Sequence, residues 1–220
     1  MGSDRTIVFD LDDTLYPERS YAFSGFAAVA SAFERELGAA DKVAGRMREL
    51  FATSDRRRIF DVVIDEKGHH DTPDLLDRMI QAYRTHTPAI ALHSDADAAL
   101  TRLRTTCKLA LITDGFSASQ HAKIDALNIR PRLDLVIVTD DWGRPFWKPH
   151  PRAFEEVQHY LNVAPDQCTY VADNPAKDFF APNALGWRTI RIDRPDAVHN
   201  AGKAPPGGEP GRVITTLAAL

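Results

Sequence analysis

The stretch Ile7-Val8-Phe9-Asp10-Leu11-Asp12-Asp13-Thr14-Leu15 decides how the rest of the chain is organised. An apolar run passes directly into three carboxylates within four positions and then a hydroxyl. Thr6 to Phe9 is apolar without alternation, which predicts a short strand buried on both faces. Each ionised carboxylate at the end of such a strand needs a cation or several hydrogen-bond donors beside it. Aspartate is also common in surface turns, but matching polar residues recur at corresponding places downstream, and that recurrence favours a functional site.

Working outward, Leu15-Tyr16-Pro17 closes the loop, and from Ser20 the apolar period becomes helical. Phe23, Phe26, Ala27, Ala30, Phe33 and Leu37 form one stripe, with Gly38 as its stop. Val43, Met47, Leu50 and Phe51 form another, Ile59 to Ile64 reads as a short helix, and Leu75 to Tyr83 as an amphipathic helix entered through Thr72-Pro73-Asp74. Beyond Pro88 short apolar runs alternate with helical stripes. Strands are predicted at 108–113, 133–138, 169–172 and 187–192, and helices at 94–103 (capped by Ser94-Asp95), 117–127, 151–161 and 175–185. Pro195 to Gly211 reads as an irregular loop, and Val213 to Leu220 as one short edge element. The fold class is therefore α/β. A Rossmann-like parallel-sheet core (1–17 and 88–220) is interrupted after its first strand by an all-helical insertion, 18–87, the size of a small domain.

The 220 residues are 44% hydrophobic and 26% charged, an ordinary soluble balance. The formal charge of −4 lacks the basic excess that nucleic-acid binders carry. Cys107 and Cys168 each precede or open a predicted strand and read as small core residues rather than a disulfide or a nucleophile. No apolar run approaches a membrane span, and the start lacks a signal-peptide core, so a cytoplasmic protein without membrane partners is expected. Met1 to Thr6 fits a loose N-myristoylation pattern, but the first strand begins at Thr6, and we treat the match as coincidence. The oligomeric state is not readable from the sequence.

Ligands of open α/β sheets sit outside the carboxyl ends of the strands. The unusual polar residues fall there: Asp10 and Asp12 after the first strand, Thr113-Asp114-Gly115 after the second, Lys148 beyond the third, and Asp173 and Asp178 after the fourth. Asp10, Asp12 and Asp173 form a hard-oxygen set suited to Mg²⁺, and without a cation such charges would raise one another's pKa. Lys148 is placed to screen a phosphate, Thr113 offers a hydroxyl, and the Gly115 amide would open a helix N-terminus favourable to an anion. One carboxylate would attack phosphorus while another exchanges protons with the leaving group and water.

These residues resemble the haloacid dehalogenase-like superfamily of hydrolases. Asp10-Leu11-Asp12-Asp13-Thr14 matches its D-x-D-x-T motif, Thr113 its hydroxyl motif, Lys148-Pro149 its lysine motif, and Asp173 to Asp178 its D-x-x-x-x-D motif. The resemblance implies an aspartyl-phosphate mechanism, with Asp10 as nucleophile and Asp12 as general acid/base. It implies Mg²⁺ bound by Asp10, the Asp12 backbone carbonyl and Asp173, with Asp178 supporting from behind or through water. Thr113, Asp114, Gly115 and Lys148 would form the phosphoryl-binding side. The insertion resembles the family's cap, which closes over small substrates, so the expected partner is a small phosphorylated metabolite such as a sugar phosphate. Asp114 stands where the family often has Asn, and Ala172 where it often has Gly. The family's dehalogenases differ at the position of Asp12, which favours Mg²⁺-dependent hydrolysis of a phosphomonoester. A phosphomutase of the same superfamily and a catalytically degenerate binding or regulatory module are the alternatives.

Weaker features carry less. Arg56-Arg57-Arg58 reads as a solvated helix end, and His69-His70-Asp71 lacks enough further ligands for a metal site. Trp147, Tyr16 and Arg19 are candidates for substrate contact because they adjoin the motifs.

Overall fold

In the computed structural model β1 (Thr6–Phe9) is buried along its whole length. It pairs in parallel with β2 (Lys108–Thr113) on one edge and β4 (Cys168–Ala172) on the other. β3 (Leu135–Val138), β5 (Arg188–Ile192) and β6 (Arg212–Ile214) complete a parallel sheet of order β3-β2-β1-β4-β5-β6. The structure describes residues 5–53, 55–69, 72, 74–198 and 202–220; the start of the myristoylation-like pattern and His70-Asp71 lie outside them. Strand order reverses between β1 and β4, the crevice where ligands of such sheets bind.

The chain divides into two units, one running up to Arg19 and from Ala91 to Leu220, the other Ser20–Ile90. In the first, α8 (Arg152–Leu161) lays Ala153, Phe154, Val157 and Leu161 against Val8, Ala110, Ile112 and Tyr170. That spacing is one face of a helix, and burying each of Phe154, Val157 and Leu161 contributes about 1.5–3 kcal/mol. α6 (Ser94–Leu103) and α7 (Ser117–Ala126) follow β1's return and β2. In the second unit α1 (Glu18–Ala32), α2 (Glu34–Leu37), α3 (Ala40–Thr53), α4 (Ile59–Glu66) and α5 (Leu75–Thr85) share a core that includes Val29, Met47, Val63, Leu75 and Met79. Among the described residues no helix is long and apolar enough to cross a membrane. Both cysteines are free thiols.

Four local expectations are corrected. The first stripe breaks at Phe33 into α1 and α2 before ending at Gly38, whose φ of 90° suits glycine. Ser94-Asp95 does not cap α6: the Asp95 carboxylate accepts from Arg194 Nη1 (2.9 Å), Thr216 Oγ1 (2.9 Å) and the Leu217 amide (2.8 Å). β3 starts at Leu135 because Arg130–Arg132 forms a 3-10 turn and Asp134 takes the Leu109 amide with its side chain (2.7 Å). The helix expected from Pro175 shrinks to α9 (Phe180–Ala184). Asn174 Oδ1 accepts from the Ala176 amide (3.0 Å) and Asp178 Oδ2 from the Asn174 amide (3.0 Å), so side chains take over part of the bonding there and a single turn closed by the Asp178 amide on Asn174 O (3.1 Å) stands where the helix was expected.

Candidate active site

The Asp10 amide still bonds to Val171 O (2.9 Å), so the strand ladder carries its side chain past the sheet's carboxyl edge. Asp13 then turns the chain with a left-handed φ of 51°. Its carboxylate accepts from the amides of Glu18 (2.8 Å) and Val198, tying the loop to the start of α1 and to the segment after β5. Asp13 is thus the structural member of the motif.

Carboxylate oxygens of Asp10, Asp173 and Asp178 lie within 4.8 Å of one another, and all three residues are buried. Lys148 Nζ sits among them, donating to Asp10 Oδ1 (2.7 Å) and the Tyr170 hydroxyl (2.8 Å) and pairing with Asp178 Oδ1 (2.8 Å). One ammonium therefore pairs with two of the three carboxylates. Burial, then the charges of Asp10, Asp178 and Asp13, push the Asp173 carboxyl up to about 9. Burial also raises Asp10 to about 6, with Lys148 opposing and Asp178 reinforcing. Among the described residues Asp173 Oδ2 is buried without a hydrogen-bond partner. A buried, unpartnered oxygen in a cluster short of two positive charges fits a divalent cation with oxygen ligands.

Asp12 is treated differently. Its carboxylate lies outside that cluster, gripped by Lys123 Nζ (2.8 and 3.0 Å), Gln120 Nε2 (3.0 Å) and the Tyr16 hydroxyl. Burial works against its ionised form, but the Lys123 charge and these hydrogen bonds outweigh burial and lower its pKa.

Thr113 is fully buried, its hydroxyl accepting from Gln120 Nε2 (2.5 Å). Asp114 accepts from Thr139 Oγ1 (2.8 Å) and the Lys148 amide (3.1 Å) and pairs with Lys177 Nζ (3.0 Å). Burial would raise its pKa, yet the charges of Lys148 and Lys177 bring it down. The extra negative charge at this position is thus matched by a lysine inside the fourth motif. Gly115 does not open a helix: α7 begins at Ser117, whose amide is taken by Asp140 Oδ2 (2.9 Å). Its φ of 130° and the absence of a side chain instead make room for Gln120, whose Cδ would lie 3.1 Å from an added Cβ.

A cavity of about 110 Å³ opens onto these groups. Asp10, Asp12, Asp114 and Asp173 reach its walls, together with Trp147, Lys177 and Glu18. Burial, followed by repulsion from Asp12, pushes Glu18 up to about 8. A larger groove of about 630 Å³, walled by Arg5, Arg188 and Arg212, contains none of the motif carboxylates.

Residues 7–192 match the haloacid dehalogenase-like hydrolase family. The chain belongs to that family. Its relatives include a glyceraldehyde 3-phosphate phosphatase of Methanopyrus kandleri, 28% identical over 86% of this chain and 84% of that protein. A phosphoserine phosphatase of Thermus thermophilus is 29% identical over 63% of this chain and 55% of that protein. Among solved structures, the HAD-hydrolase YfnB of Bacillus subtilis superposes with a TM-score of 0.67 at 19% identity, covering 100% of this chain and 97% of that one.

In this haloacid dehalogenase-like hydrolase several residues at the site escape the motifs. Lys123 and Gln120 lie on α7, Lys177 is hidden inside an acidic motif, Glu18 opens α1, and Tyr170 is a core residue of β4. One signal for the first two was present: within α7 Ile124 is the one large apolar side chain, with Leu127 just past its end, so the inward face has room for Gln120 and Lys123. Trp147 reaches the cavity while its indole N–H donates to Asp140 (2.9 Å). Arg19 pairs with Asp196, Arg57 with Asp55, and His69 Nε2 bonds to Glu36 O (2.7 Å).

Proposed function

We propose that this hydrolase is a phosphatase of small phosphomonoesters, with Asp10 as the nucleophile and Asp12 as the proton carrier. The observation that carries the reading is the contrast between two carboxylates two residues apart. Asp10 sits in a buried cluster fit for a cation, whereas Asp12 is held apart on Lys123, Gln120 and Tyr16. Asp10, Asp173 and Asp178, with the Asp12 backbone carbonyl, would hold Mg²⁺, which would neutralise phosphoryl charge and draw its oxygens into the site.

Asp10 attacks phosphorus, the ester P–O bond breaks and an aspartyl phosphate forms. The departing alkoxide takes a proton from Asp12. Asp12 is ionised at rest, and a substrate arriving as the phosphate monoanion brings that proton, because its second pKa is about 6. Water then attacks the aspartyl phosphate, the bond from phosphorus to Asp10 breaks, and water's proton passes to Asp12, which hands it to the departing phosphate and returns to its ionised state. Lys148 steadies Asp10 throughout, and Lys177 adds positive charge at the cavity wall. Displacing a halide would leave Asp12 without its first task, since halide departs without a proton. The relatives matched over most of their own length, named as phosphatases of small molecules, support the same reading.

A panel of phosphorylated metabolites, with release of inorganic phosphate as readout, tests it. Asp10→Asn should cost at least roughly a thousandfold in kcat with the fold kept, because an amide does not attack phosphorus. Near-parental turnover by that variant would end the assignment. Excess EDTA should abolish activity, and Mg²⁺ should restore it.

A further inference from the structure

Lys123 is a buried ammonium on α7, 6% exposed, and burying such a group is strongly unfavourable unless a partner compensates. Its Nζ lies 2.8 and 3.0 Å from the two oxygens of Asp12, so it binds the carboxylate as a fork rather than at one corner. Asp12's other two partners, Gln120 and Tyr16, are neutral, and among the described residues Lys123 is the cation in contact with it. Gln120 and Lys123 are three positions apart, hence on one face of α7. Gln120 also donates to Thr113 Oγ1 and to Asp114 O (2.7 Å), so the same amide links Asp12 to the end of β2. The close approach of Gln120 to Gly115 depends on that glycine.

We propose that Lys123 is a positioning residue for proton transfer by Asp12: it fixes the carboxylate outside the Asp10–Asp173–Asp178 cluster, where it meets the leaving group. This rests on the phosphatase reading above. Two carboxylates two residues apart would otherwise compete for the same cation, and a proton carrier bound to that cation cannot serve the leaving group. Lys123 resolves the competition by giving Asp12 a cation outside that cluster. Tyr16 and Gln120 then set the orientation of the carboxylate about that charge.

The test uses leaving groups of different basicity. An alkyl phosphate needs a proton on its leaving oxygen, whereas p-nitrophenyl phosphate does not, and kcat/KM reports the first phosphoryl transfer for both. Lys123→Met should lower kcat/KM on the alkyl phosphate roughly 10–100-fold, a part of the 10²–10⁴ that general acid catalysis supplies, and on p-nitrophenyl phosphate less than about threefold. Lys123→Gln keeps a donor toward Asp12 and should show the same bias in smaller degree; it also serves if the Met variant does not fold. A folding or cation-binding defect would depress both substrates alike, and equal losses, or none, overturn the proposal. Failure of both variants to fold makes Lys123 a structural residue and overturns it too. Asp10→Asn is assayed in parallel: if it is inactive, equal losses in the Lys123 variants count against the positioning role alone, whereas an active Asp10→Asn removes the phosphatase reading itself.

Discussion

Asp173 combines a raised pKa with an unpartnered oxygen, and the two have one cause: too many carboxylates for the positive charge beside them. Its folded pKa of about 9 lies above the ordinary 3.8, so the stability it contributes is fully present below the unfolded value and is lost as pH rises toward 9. Glu18, pushed to about 8, acts in the same direction. The stability of metal-free protein should therefore fall between pH 7 and pH 9, by up to ~1.4 kcal/mol per pH unit from Asp173, and its melting temperature should fall with it. Mg²⁺ should flatten the fall by replacing the proton, and Asp173→Asn should remove most of it; a scanning melt across that range decides, and an unchanged slope in Asp173→Asn refutes the account. At this scale the sequence was informative where acids end buried apolar runs, as at Asp10 and Asp173, since a carboxylate placed there is costly unless a cation or a set of donors compensates it. It was silent on Lys123 and Lys177, because a lysine on a helix or inside a charged loop usually faces water, and only the packing of α7 on the sheet turns Lys123 inward.

Among the elements, α1 depends on a glycine for close packing. A Cβ on Gly25 would fall 2.4 Å from the Tyr83 ring, which is itself in ring contact with Phe26, Phe60 and Tyr21 and has little room to yield. Gly25→Ala should destabilise the helical unit by about 1–3 kcal/mol despite alanine's better helix propensity. Urea unfolding followed by circular dichroism measures it, and a stabilised variant would show that Tyr83 moves aside freely. Periodicity placed most helices and strands because their apolar faces are long enough to repeat. It failed where side chains take over backbone duties: Asn174 and Asp178 shorten α9, and Asp95 spends its carboxylate on the C-terminal segment instead of on its own helix.

For the whole molecule, alternating runs and a long helical interruption made the α/β class legible, whereas strand neighbours were not, since nothing in a buried apolar run names its partner. The order β3-β2-β1-β4-β5-β6 puts the first strand in the middle, with Thr6 opposite both Lys108 and Cys168. That has a consequence for biosynthesis. Translation at about 5–20 residues per second leaves the strand that carries Asp10 without a partner for on the order of 5–20 seconds, and for longer on its other edge. The helical unit, whose contacts are local in sequence, is complete before either partner strand is made. Nascent chains arrested once Ile90 has cleared the ribosome should therefore show protease-resistant helices and a cleavable N-terminal segment, with protection of that segment appearing only after Ala172 has emerged. Early protection of residues 5–17 would mean that β1 finds a temporary partner first.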